Sequence, residues 1–234
     1  MERRIVFLDI DGVLQRPSAK KRFEYCHRDL EKSEMPKIYE YLKGKFGIDF
    51  SVYDQYDVAA VYFDWDRTAL ALLKLVLNLT GAQIVLSSDW RLFGGFQRMK
   101  DFFTIHGLEK YFIDITRVDK IYGSKKNTYE IIDEDFKQRT EERYKEKYGK
   151  DARIASRSIE ILDWLDRNPD VKYWVAIDDM ILHGIEENYV ESYPSMSVNN
   201  AEKCIRMLLP DRKFRKKKSL QKKIKPDKHK SSPA

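Results

Sequence analysis

The stretch IVFLDIDGVL, residues 5–14, decides how the chain is read. Residues 5–8 are apolar up to a carboxylate, Asp9, and a second carboxylate, Asp11, follows two places later with Gly12 directly after it. An apolar run this short suits a buried strand. Two like charges at its exit raise the energy unless something positive is shared between them. A metal ion, a phosphoryl group or a plain turn would each answer the pattern.

Further strand-like runs lie at 82–87, 112–116, 173–177 and 189–192, with helical patterns between them. Such alternation predicts an α/β fold, a mainly parallel sheet flanked by helices. Asp66 is placed to cap a helix that Gly81 ends, residues 156–168 carry Ile159, Leu162 and Leu165 on one face, and a last helix closes before Pro210. Two stretches break the rhythm. Residues 15–65 are too long for one connection and rich in aromatics, while 117–155 hold the charged run DEDFKQRTEERYKEKYGKD, expected as a solvated helix. Both read as cap-like insertions into a single domain over residues 1–211.

The net charge of +6 is unevenly placed: residues 212–230 carry eleven Lys or Arg against one Asp, a local +10 that leaves −4 for the remainder. Residues 212–234 are expected to form a disordered basic tail, either a contact for nucleic acid or a solubilising terminus. No apolar run approaches membrane-span length, and the charged start of the chain leads into a strand too short for a signal peptide. Two distant cysteines, Cys26 and Cys204, argue for a reducing, cytoplasmic setting.

In parallel α/β sheets, ligands collect at the carboxyl ends of the strands. There the sequence places Asp9 and Asp11, then Ser87, Ser88 and Arg91 from LSSDWR, then Asp178 and Asp179 from AIDDM. Arg157 stands at the start of the helix before that last strand. These are the parts that phosphoryl transfer needs. A carboxylate can attack phosphorus, and a second can protonate the leaving oxygen and then activate water. Hard oxygen ligands suit Mg²⁺, for which the candidates are Asp9, Asp11, Asp178 and Asp179. Ser87, Ser88, Arg91 and Arg157 are candidates to hold the phosphate and its developing charge.

FLDIDGVL resembles the first motif of the haloacid dehalogenase-like (HAD) superfamily in its DxDG phosphatase form, IVLSS the second and VAIDD the fourth. More narrowly, AQIVLSSDWR with SRSIEILDWLDRNPDVKYWVAIDD is similar to the HAD domain of Swiss Army Knife RNA repair proteins. The resemblance covers residues 3–14, 63–116 and 156–209. It implies a Rossmann-like sheet, Mg²⁺ dependence and an aspartyl-phosphate intermediate. Asp9 would then be the nucleophile, Asp11 the acid/base, Ser87 and Arg157 the phosphate ligands and Asp178 a metal ligand. Arg157 fills a place usually held by Lys, with Lys150 and Arg153 as alternatives.

Plainer roles compete for several residues. The other Asp-x-Asp, FDWDR at 63–67, precedes a helix that capping explains, and Ser88 with Asp89 could cap the next one. Trp164 and Trp174 read as core and His183 as a surface turn. The aromatics of 39–65 either pack on the body or stack nucleobases. The function expected is a Mg²⁺-dependent phosphomonoester hydrolase acting on a small molecule or a nucleic-acid end such as a 3′-phosphate. A non-catalytic nucleic-acid-binding module on the same fold is the alternative.

Overall fold

A computed structural model describes residues 2–28, 32–119 and 130–210. The basic tail expected at 212–234 lies outside the described residues, as does part of the second interruption. Five strands form one parallel sheet: β1 (Arg3–Leu8), β2 (Gln83–Leu86), β3 (Phe112–Ile115), β4 (Val171–Asp178) and β5 (Tyr189–Glu191), in the order β3-β2-β1-β4-β5. The helices are α1 (Arg22–Tyr25), α2 (Met35–Phe46), α3 (Gln55–Ala59), α4 (Arg67–Thr80), α5 (Gly95–Ile105), α6 (Glu134–Tyr148), α7 (Ser156–Asp166) and α8 (Val198–Leu208). The architecture is Rossmann-like α/β, as the alternation predicted.

β1 lies at the centre because both its faces are apolar. Val6 and Leu8 enter the larger core with α4, α5 and α8, while Ile5 and Phe7 face Ile161 and Trp164 of α7. The period of two along a strand thus feeds two helical layers. Trp164 is fully buried and Trp174 half-buried against the smaller core. The Asp66 side chain accepts from the backbone N–H of Thr68 and Ala69, and left-handed Gly81 ends α4.

The described part of residues 15–65 holds α1, α2, α3 and a π-helical turn, Ala60–Asp64. Met35, Leu42, Phe50 and Val58 join the larger core, with Tyr39, Phe46, Tyr53 and Tyr56 packed against it. Of the aromatics named for stacking, these pack on the body, and Tyr41 is exposed. The charged run of the second interruption forms α6, which buries none of its residues. Among the described residues, no helix is long and apolar enough to cross a membrane.

Candidate active site

The carboxyl ends of β1, β2 and β4 meet at one place, and the chain turns sharply there. The Asp9 N–H donates to the Ile177 carbonyl of the neighbouring strand at 3.0 Å, which fixes the first carboxylate to the sheet. Gly12 follows at φ 69°, a left-handed conformation that disfavours a side chain, and its N–H donates to the Gln15 carbonyl at 2.8 Å. A Cβ at Gly12 would collide with the side chain of Asp179. Glycine there lets the β1 and β4 loops close on each other.

Asp9, Asp178 and Asp179 bring carboxylate oxygens within 4.8 Å of one another. Burial raises the pKa of both Asp9 and Asp178, and the charge of Asp9 raises Asp178 further, while the Arg157 guanidinium opposes both shifts. Asp179 is raised by burial and by Asp11. Such a group is costly as bare anions, and its hard oxygen donors are the kind that Mg²⁺ takes. Asp11 lies outside this trio. Its two oxygens accept from Gln15 Nε2 and from Trp90 Nε1, each at 2.9 Å.

Arg157, in the first turn of α7, reaches back over the sheet edge. Its Nη1 donates to Asp9 Oδ1 at 3.1 Å and to the Ser87 carbonyl, and lies 3.6 Å from Asp178 Oδ2. Its Nη2 donates to Asp89 Oδ1 at 3.1 Å. Burial works against this charge, but Asp9, Asp178, Glu160 and Asp89 outweigh it and hold the guanidinium protonated. Lys150 and Arg153, the alternatives for this cation, line a separate cavity at the end of α6.

The hydroxyls of Ser87 and Ser88 are buried; that of Ser87 has no hydrogen-bond partner, and that of Ser88 bonds the Asp9 carboxylate. An unpaired buried hydroxyl is uncommon, so Ser87 at the site is free to bond a ligand. Ser88 makes no side-chain cap, contrary to the capping alternative. Arg91 is 1% exposed, and each of its nitrogens is engaged: Nε by the Thr116 carbonyl at 3.1 Å, Nη1 by the Ser88 carbonyl at 2.6 Å and Nη2 by Glu160 Oε2 at 2.5 Å. Of the other Asp-x-Asp, Asp66 caps α4, and Asp64 instead pairs with Arg22 at 3.2 Å. His183 is exposed and lies 3.6 Å from Glu186.

A family model described as the HAD domain in Swiss Army Knife RNA repair proteins matches residues 5–202. The chain belongs to that family. No curated protein and no solved structure matches it. The matched span of this HAD domain runs through both interruptions of the α/β alternation, where the motif resemblance had reached only the core.

Three neighbours of the HAD site were missed in the sequence: Gln15 and Trp90, which hold Asp11, and Glu160, which lies between Arg91 and Arg157. Asp89, read only as a cap, faces Arg157. A signal existed for Glu160, since Arg157 and Glu160 are three apart on one helix and share a face.

Proposed function

We propose that this protein is a Mg²⁺-dependent phosphomonoester hydrolase working through an aspartyl-phosphate on Asp9. The observation that supports it most is the convergence of Asp9, Asp178 and Asp179 with Arg157 and the unpaired Ser87 hydroxyl. That donor set fits Mg²⁺, with Asp9, Asp178 and Asp179 as its ligands. The chemistry Mg²⁺ supplies is charge neutralisation, allowing an anionic nucleophile to approach an anionic phosphoryl group.

The chain's own residues do the rest. An oxygen of Asp9 attacks phosphorus, and the bond to the leaving alkoxide breaks as Asp11 passes it a proton. Asp11 then takes a proton from water, the water oxygen attacks the same phosphorus, and the Asp9 carboxylate is released with inorganic phosphate. Gln15 and Trp90 orient Asp11 through both stages. Ser87 and Ser88 hydrogen-bond phosphoryl oxygens, and Arg157 offsets the charge of the trigonal-bipyramidal state. Arg91 braces the loop after β2 instead of touching phosphate.

The family's description names RNA repair, which favours a phosphorylated RNA end as substrate. The +10 charge of residues 212–230 would add a salt-dependent contact to the polyanion. The test is phosphate release from a 3′-phosphorylated oligonucleotide and a matched mononucleotide with Mg²⁺. Release should vanish in Asp9→Asn and favour the oligonucleotide. Full activity in Asp9→Asn refutes the mechanism, and release from the mononucleotide alone refutes the RNA-end reading.

A further inference from the structure

Beside the catalytic carboxylates lies a second feature that the phosphoryl chemistry leaves unused. A pocket of about 340 Å³ opens at Asp11 and runs between the loop after β2 and the helices of residues 15–65. Its volume is at the small end of the range for ligand sites, about 300–1,000 Å³, enough for one ring system with its substituents. Asp11 and Gln15 line it, and so does Asp89, which reaches Arg157. A molecule in this pocket therefore has an atom at the residue that protonates the leaving oxygen.

The walls hold both acceptors and donors. Arg98 is almost fully buried; its Nη2 pairs with Asp57, and its Nη1 donates to the Trp90 carbonyl at 3.3 Å. Its approach depends on Gly94, at φ 152°, because a Cβ there would collide with the Arg98 side chain. Asp57 keeps 37% of its side chain exposed and Asp89 63%, so each has oxygens free for another donor. Trp90 is pinned through its Nε1 to Asp11, which leaves its ring as a fixed apolar surface. Arg22 completes the lining, so three carboxylates meet two guanidiniums. That balance does not favour a second phosphate inside the pocket itself. It suits a neutral ring that carries several hydroxyls, each able both to donate and to accept.

We propose that this pocket is the leaving-group subsite of the hydrolase and holds a sugar ring, with Asp57, Asp89 and Arg98 on its hydroxyls and the Trp90 indole against its carbon face. The proposal rests on the phosphatase reading above and adds to it the chemical class of the leaving group. The sugar belongs either to a nucleotide or to a free sugar phosphate; both present a ring face and a free 2-hydroxyl to these walls.

The test compares kcat/KM for a ribonucleoside 3′-monophosphate, its 2′-deoxy counterpart, ribose 5-phosphate and phenyl phosphate. A hydrogen bond to a charged group changes such values by about 10- to 100-fold, so ribonucleotide or ribose phosphate should exceed phenyl phosphate by at least that factor. Asp57→Ala should lower the sugar-to-phenyl ratio by about tenfold or more. Both substrates are assayed on one preparation, so the ratio does not depend on the folded fraction. Arg98→Gln is read in the same way where Asp57→Ala fails to fold. A preference for ribose 5-phosphate assigns a free sugar, and a preference for the nucleotide over its deoxy form assigns a ribonucleoside. Equal handling of phenyl phosphate and the sugar substrates in the parent overturns the subsite, and so does an unchanged ratio in both variants. Calorimetry on Asp9→Asn separates the two layers. Selective binding of a sugar phosphate over phenyl phosphate without turnover in the parent keeps the subsite and overturns the hydrolase; turnover without selectivity does the reverse.

Discussion

Removing the Arg91 guanidinium should cost stability before it costs chemistry. Arg91 and Glu160 are both buried, 2.5 Å apart, and Glu160 Oε1 also accepts from the Asp119 N–H at 3.3 Å. Burial lowers the pKa of Arg91 and raises that of Glu160, each opposed by the other's charge. Deleting one partner of such a pair costs about 3–5 kcal/mol because a buried charge is left uncompensated. Arg91→Met belongs at the upper end, since it also frees the Thr116 and Ser88 carbonyls. Glu160→Gln belongs at the lower end, because Arg91 keeps those two acceptors and the exposed Asp89 carboxylate still stands between Arg91 and Arg157. The double variant should fall well short of the sum, leaving a coupling of about 2–3 kcal/mol. Urea titrations with unchanged m-values give all three numbers. If Arg91 instead binds the substrate phosphate, Arg91→Met keeps the parent's midpoint and loses only kcat/KM. That result, or a coupling below about 0.5 kcal/mol, refutes the bracing role.

Mg²⁺ at about 100 times its Kd should stabilise the parent by about 2.7 kcal/mol, a Tm rise of roughly 5–10 °C that Asp178→Asn abolishes; no shift in the parent argues against the carboxylate trio as a metal site. Gly12→Ala should lose at least about 1–2 kcal/mol from the left-handed backbone alone, with a further loss from the collision with Asp179, read by the same titration. Asp66→Ala removes a cap that accepts two N–H groups, so it should cost about 1 kcal/mol and leave phosphate release intact. His106 is half-buried against Trp65 with Nε2 at the Val61 carbonyl, and desolvation lowers its pKa to about 4. Between about pH 6.5 and 4 the unfolded chain takes up a proton that the folded one refuses, so stability falls with pH by up to about 1.4 kcal/mol per unit. In His106→Gln, urea midpoints across that window should fall less steeply than the parent's, and parallel slopes would show that His106 takes up its proton alike in both states.

The sheet was legible because each strand is short, apolar and followed by polar punctuation. Residues 5–8 feed two cores by simple alternation, and Asp66 and Gly81 mark the ends of α4 by chemistry that acts within a few residues. Residues 15–65 resisted the same treatment. Helices of four and five residues, α1 and α3, are too short to display a period, and the π turn departs from the helical one. The aromatics there find partners far away in sequence or across a turn: Tyr25 stacks on Phe63 at 4.0 Å, and Tyr53 meets Phe102 edge-on. Their identity as packing groups depends on contacts that no local pattern announces.

Arg91 and Arg157 show where the limit lies within the site. Both are arginines beside strand ends, and by residue type alone both suit a phosphate. Their fates diverge because of one side chain on α7. Glu160 sits one helical turn beyond Arg157, so a single face of α7 carries a cation toward Asp9 and an anion toward Arg91. The anion captures Arg91 and draws it into the protein, while Arg157, held by Asp9, Asp89 and the Ser87 carbonyl, stays at the carboxylates. The spacing of Arg157 and Glu160 is written in SRSIE, but the 69 residues from Arg91 to Glu160 become a contact only once β1, β2 and β4 lie side by side. Motif chemistry lies at strand ends, where sequence punctuation shows it. The choice between two equivalent cations belongs to the packing of α7 on the sheet.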